Sequence, residues 1–343
     1  MESTLFWGSL LAILSGLMNG SFTLPMRFLG RWEWENVWSL FILVSCLLLP
    51  TTLITVIAPQ SWAVLAHAPL HGVSIAVMAG FAWGFGAVMF GQSVSAIGIS
   101  LANTFVLAIS SALGSLLPIL ILASHKLFQH TGKMILAGVL IEVAGIALCG
   151  LAGREREKAI GVTAQRGDLV GRARPVGVAL LLAFGSGVLS AVFNIGFTLA
   201  QPIAEYGHAA GLTEFASTNL IWWIMLSAGS LANLGFCVYL LAKNRSFTKF
   251  RQPGGVRLYT LSSLMALLWG GSIFVYGAAA PRLGPLGPSI GWPLSLATGL
   301  LLANAIGIGV GEWRGAPART RAWMYSGIAV LLTAIVVLSR AGY

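Results

Sequence analysis

Charge is what this sequence has least of. Only 9% of its 343 residues are Asp, Glu, Lys or Arg, against about 25% in soluble domains. Hydrophobic residues fill 57% of it, and mean hydropathy is +0.86. Such a chain cannot clothe itself for water and reads as an integral membrane protein. Cysteine is scarce too. Cys46, Cys149 and Cys237 lie singly in apolar segments with no CxxC spacing, so a disulfide framework or metal site has no support and the thiols read as buried. HExxH, GxSxG and P-loop motifs are all missing. The chain is therefore not read as an enzyme, no cofactor or metal is expected, and any work it does has to run on a gradient rather than on an ATP motor of its own. A positive leader with a small-residue cleavage site is also missing after Met1-Glu2-Ser3-Thr4, so residues 4–24 read as a retained first span.

The few charges are unevenly signed. The net charge is +10, but the cations sit in short loops between apolar runs rather than on a recognisable binding module, so nucleic acid is not an expected partner; the lipid bilayer is. Stretches of about 20 apolar residues mark spanning helices. Ten are expected, at 4–24, 37–58, 73–96, 99–123, 133–152, 176–200, 214–242, 258–280, 286–311 and 320–341. The longest polar stretch, 153–175, then divides an all-α membrane protein into a first five-helix repeat (1–152), a linker and a second five-helix repeat (176–343). Counted loop by loop, 16 Lys and Arg residues fall on one side and 4 on the other. Excess cations stay cytoplasmic, which puts the linker inside and both termini in the periplasm. An odd number of helices per half inverts the second half relative to the first.

One motif is written twice. Trp83-Gly84, Phe90-Gly91 and Gly98 recur at the same internal spacing as Trp269-Gly270, Tyr276-Gly277 and Gly284, 186 positions later. Leu10-Leu11-Ala12-x-x-Ser15-Gly16 with Phe22 returns as Leu181-Leu182-Ala183-x-x-Ser186-Gly187 with Phe193. Inverted halves in a bilayer are the signature of alternating-access transporters, which bind substrate between the repeats.

Polar side chains in spans are costly and so informative. Asn19, Gln92, Asn103, Asn194 and Asn304 are amides in apolar surroundings. They read either as interhelical hydrogen-bonding groups or as donors and acceptors for a neutral, hydroxyl-rich ligand. Trp83, Trp269, Tyr276 and Trp292 could offer ring faces to the C–H face of a sugar, or could simply pack the repeats together. Trp7, Trp32, Trp34, Trp38, Trp62 and Trp313, at span ends, read as an interfacial belt. Glu142 is the one acid deep within an expected span, either a proton carrier or a structural hydrogen-bonding group. Glu214, at the start of the seventh span, could reach an outward-facing cavity, whereas Glu35, Glu205 and Glu312 stand near span ends where water or cations can accommodate them.

Several of these segments together resemble the L-rhamnose–proton symporter family of the drug/metabolite transporter superfamily. They are Phe22-x-x-Pro25-Met26-Arg27, Trp32-x-Trp34-Glu35-x-x-Trp38-Ser39, Leu49-Pro50, Trp83-Gly84-x-Gly86, Ser190-Ala191 with Pro202 and Glu205, Asn233-Leu234-Gly235-Phe236-Cys237, Ile290-x-Trp292 and Glu312-Trp313. The resemblance spans nearly the whole chain and implies ten helices in two inverted repeats, proton-coupled uptake of a 6-deoxyhexose, and a bacterial inner membrane. Two positions depart from the pattern: Thr198 stands where an amide is expected, and Glu142 where a small apolar residue is. The expected function is thus import of a small neutral sugar, L-rhamnose, together with protons. Asn19, Trp83, Gln92, Asn103, Asn194, Trp269, Tyr276 and Trp292 are the expected sugar site, and Glu142 or Glu214 the coupling acid. The rivals are an exporter or exchanger of the same superfamily, and a membrane-embedded enzyme.

Overall fold

A computed structural model describes residues 2–30, 32–159, 175–252 and 255–341, and every regular element among them is helical. The long helices are α1 (Glu2–Ser21), α2 (Trp34–Ile57), α3 (Leu70–Ile97), α4 (Ile99–Leu122), α5 (His130–Ala159), α6 (Val176–Leu199), α7 (Glu214–Lys243), α8 (Gly255–Arg282), α9 (Gly287–Gly309) and α10 (Ala318–Arg340). Nine of these, α2 to α10, are long and apolar enough to cross a membrane. The first expected span forms as the 20-residue α1, but Ser3, Thr4, Trp7 and Asn19 dilute its apolar character, and it is not among the nine.

Three elements differ from the sequence expectation. α2 contains a π-helical turn at Leu43–Leu48. It leads into Pro50, which has no N–H for the carbonyl one turn back, and the wider turn absorbs the mismatch. α6 stops at Leu199 and a new helix, Gln201–Ala209, starts with Pro202 in its first turn, where a missing N–H costs nothing. α5 continues seven residues into the expected linker, to Ala159. Lys158 bonds Glu155 at 2.7 Å along this extension, and Glu157 accepts the Ser100 hydroxyl (2.7 Å) and backbone N–H (3.3 Å) at the start of α4. The rest of the linker, 160–174, lies outside the described residues.

The helices pack in pairs whose directions follow from their contacts. α1 and α9 run parallel, with Ser15 bonded to Ser295 at 3.0 Å and Gly20 facing Gly299. α6 and α4 also run parallel: Ser190 bonds Ser110 at 2.9 Å and Asn194 bonds the Gly114 carbonyl at 2.9 Å. α8 lies antiparallel to α1, with Gly271 against Met18 and Leu283 against Gly8. α3 lies antiparallel to α6 in the same way, with Gly86 against Ser186 and Ala79 against Gly196. α7 runs parallel to α3 and touches it backbone to backbone. A Cβ on Gly80 or Gly84 would collide with the main chain at Met225 or Gly229, so these glycines allow the close approach common between membrane helices. α5 and α10 close the far side, Gly138 facing Leu338 and Gly145 facing Leu331.

Candidate functional site

The duplicated tryptophans meet. Trp83 of α3 and Trp269 of α8 stack with ring centroids 5.3 Å apart and planes 14° from parallel. They belong to a longer run of rings. On one side Trp269 touches Phe41, which stacks on Trp38, itself stacked on Trp34. On the other, Trp83 stacks on Phe193 at 4.8 Å, followed by Trp222, Tyr276 and Trp292. Rings from α2, α8, α3, α6, α7 and α9 thus form one column. Trp34 and Trp38 stand in it, and Trp32 and Trp313 are each only 7% exposed, so these four are packed residues rather than the interfacial belt expected from their place at span ends. Trp7 and Trp62 are 55% and 41% exposed.

At the Trp292 end the column meets a saturated polar hub. Asn194, fully buried, donates to the carbonyls of Gly114 (2.9 Å) and Pro288 (3.2 Å) and accepts the Tyr276 hydroxyl at 2.6 Å. Trp292 donates to Ser110 at 3.2 Å, and Ser110 donates to Ser190. Three of the expected sugar-site residues, Asn194, Tyr276 and Trp292, are therefore brought together, but with their polar atoms engaged between α4, α6, α8 and α9. Buried polar groups that partner one another across helices fix register.

Asn103 lies elsewhere, on the wall of a cavity of about 530 Å³ formed by the end of α1, the start of α4, the end of α5, the end of α9 and the start of α10. Asn304 faces the same space, as do Ser100 and Thr104. Its charged end is an ion pair: Arg156 of α5 reaches Glu312 at 3.0 Å, and the guanidinium lies 5.1 Å from the Trp313 ring. Asn19 sits beside Gly299 on the α1–α9 seam, and Gln92 is half-buried on α3. Neither lines this cavity.

The acids sort by surroundings. Glu142 is fully buried and accepts the Ser111 hydroxyl on one oxygen; its other oxygen has no hydrogen-bond partner. Ile146 and Leu107 line the cavity, and Glu142 and Ser111 lie one helical turn beyond them, about 6 Å along each axis. Glu214 is exposed and pairs with Arg282 at 3.4 Å. Glu35 is 3% exposed, not solvated at a span end as the sequence suggests. It accepts from Asn244 (3.0 Å) and Ser246 (2.6 Å) in the loop between α7 and α8. Trp32 and Asn36 donate to Lys249 and Ser246 carbonyls of that loop, and Glu33 pairs with Lys249. The tryptophan-rich segment before α2 is thus a clamp on a loop of the other half.

Comparison with known proteins agrees with this reading of the segments. The model of the L-rhamnose-proton symport protein (RhaT) family matches residues 1–342. This chain belongs to that family. It is similar, at 26% identity over 97% of both chains, to proteins named L-rhamnose-proton symporter from Citrobacter koseri, Salmonella paratyphi B and Salmonella typhimurium. Within this family member, the residue that sequence reasoning passed over is Arg156. It falls within the polar stretch 153–175, and its partner Glu312 is 156 positions away. The Glu312-Trp313 pair, which carries part of the family resemblance, was the available signal.

Proposed function

We propose that the protein imports L-rhamnose together with protons by alternating access, from the periplasm across a bacterial inner membrane. The observation that carries this reading is the family match along the whole chain. The fold class proposed with it is ten spanning helices, α1 included, in two five-helix halves related by a half-turn about an axis in the membrane plane. Matched pairings support the relation. Exchanging the halves turns α1–α9 into α6–α4, both parallel, and α1–α8 into α6–α3, both antiparallel. It returns α5–α10 to itself, and it exchanges Trp83 with Trp269, whose rings stack on one another. Two halves that pack by the same rules can open one face while closing the other.

A neutral sugar carries no charge, so coupling needs a titratable group whose protonation favours one gate state. Glu142 and Glu214 are the proposed groups. Uptake of labelled L-rhamnose into proteoliposomes, with and without an imposed proton gradient, is the test. Accumulation only under an inward proton gradient is the expected result. Uptake indifferent to the gradient removes the coupling, and no uptake in either condition removes the sugar.

A further inference from the structure

We propose that the cavity between Asn103, Asn304 and the Arg156–Glu312 pair is the seat of the transported sugar in this conformation. This rests on the transport reading above. The cavity, at about 530 Å³, falls within the roughly 300–1,000 Å³ of small-molecule sites. It carries hydrogen-bonding side chains from both halves: Ser100, Asn103, Thr104 and Arg156 from the first, Asn304 and Glu312 from the second. Arg156 on α5 and Asn304 on α9 thus line one space, and a single ligand there would meet groups of both halves.

The contrast with Asn194 is direct. That amide has its NH₂ group and its oxygen engaged by Gly114, Pro288 and Tyr276 and has little left to recognise a sugar. At the cavity, the amides of Asn103 and Asn304 can each donate and accept, beside the hydroxyls of Ser100 and Thr104 and the guanidinium held on Glu312. Neighbouring hydroxyls of a sugar act as donor and acceptor at once, so they match a mixed set of this kind better than a carboxylate or an ammonium would. Leu107 and Leu300, one helical turn from Asn103 and Asn304, and Ile146 give the cavity an apolar wall suited to the methyl group and C–H face of a deoxy sugar. The same wall separates the cavity from Glu142 by one turn, which places sugar and buried acid on adjacent rungs of α4 and α5.

The test uses the full-length protein in proteoliposomes. Ala303, exposed on the cavity wall, is replaced by Cys and its alkylation by a maleimide followed with and without L-rhamnose, the wild-type protein giving the background of Cys46, Cys149 and Cys237. Slower labelling with L-rhamnose, but not with mannitol, is expected. In parallel, Asn304→Ala and Arg156→Lys should each raise the half-saturating rhamnose concentration about tenfold, as loss of one hydrogen bond to a bound hydroxyl does. Their melting temperatures should stay near that of the wild type. Unchanged half-saturation in both variants, or labelling indifferent to rhamnose while the wild type transports it, overturns the site and leaves the transport reading intact. A lower melting temperature with unchanged half-saturation also overturns it, because the pair is then only a brace. Absence of rhamnose uptake by the wild type instead overturns the transport reading, and with it the occupant proposed here.

Discussion

Glu142 and Glu214 differ in kind, and the difference sets what each replacement should do. Glu142 is sealed in the bundle with Ser111 as its one partner. Glutamine there mimics the protonated acid, and its amide oxygen can still accept the Ser111 hydroxyl, so Glu142→Gln should fold. If Glu142 carries the proton, the variant exchanges rhamnose in counterflow but no longer accumulates it under a proton gradient. Glu214 is exposed and tied to Arg282, a pair worth at most about 1 kcal/mol to stability. Glu214→Gln is therefore a clean test of coupling at the start of α7. Full accumulation by both variants excludes the pair and moves attention to buried Glu35. At the hub, Tyr276→Phe removes the donor to Asn194 and leaves the amide oxygen buried without a partner, a cost of about 1–3 kcal/mol. A lower melting temperature in detergent is the expected readout; an unchanged one means the hub contributes little to holding α6, α8 and α9 together.

Among the elements, what hydropathy encodes was legible and what pairing encodes was not. α4 and α10 lie within about a turn of their expected limits because a spanning helix is a local property of composition. The break at Ala200 and the π turn before Pro50 depend on how two turns share carbonyls. The seven extra residues of α5 are held by the contact of Glu157 with Ser100, far away in sequence. The stacked pair Trp83 and Trp269 is visible in the sequence through its duplication, whereas Arg156 and Glu312 come together only when α5 meets the end of α9. Close helix approach is equally non-local. At the α3–α7 crossing, Gly80→Val inserts a branched side chain against the Met225 backbone. Overpacking typically costs about 1–3 kcal/mol, and backbone cannot yield as a side chain can. The variant should express poorly or melt at lower temperature than Gly177→Val, whose position has open space around it. Equal behaviour of the two would mean that the crossing relaxes freely.

For the whole molecule, the half-turn relation and the charge distribution constrain each other. If the halves are inverted, loops at equivalent places in the two halves face opposite sides of the membrane, and only an asymmetric spread of cations can set which side is which. By the positive-inside rule, the 16-to-4 division of Lys and Arg predicts that the linker and the α7–α8 loop lie in the cytoplasm. Arg156 and Glu312 meet at that same end, so the cavity would then belong to the cytoplasmic half of the bundle. Glu214 and Arg282 would stand together at the periplasmic face, where Glu214 would meet incoming protons first. Reporter fusions read this arrangement directly. A reporter active only in the periplasm, fused after Arg340, should be active, and the same reporter inserted within 160–174 should be silent. A reporter active only in the cytoplasm should give the reverse pattern. Periplasmic activity from the linker would invert the molecule. The Arg156–Glu312 pair would then face outward, and the cavity would receive sugar from the periplasm instead of releasing it to the cytoplasm.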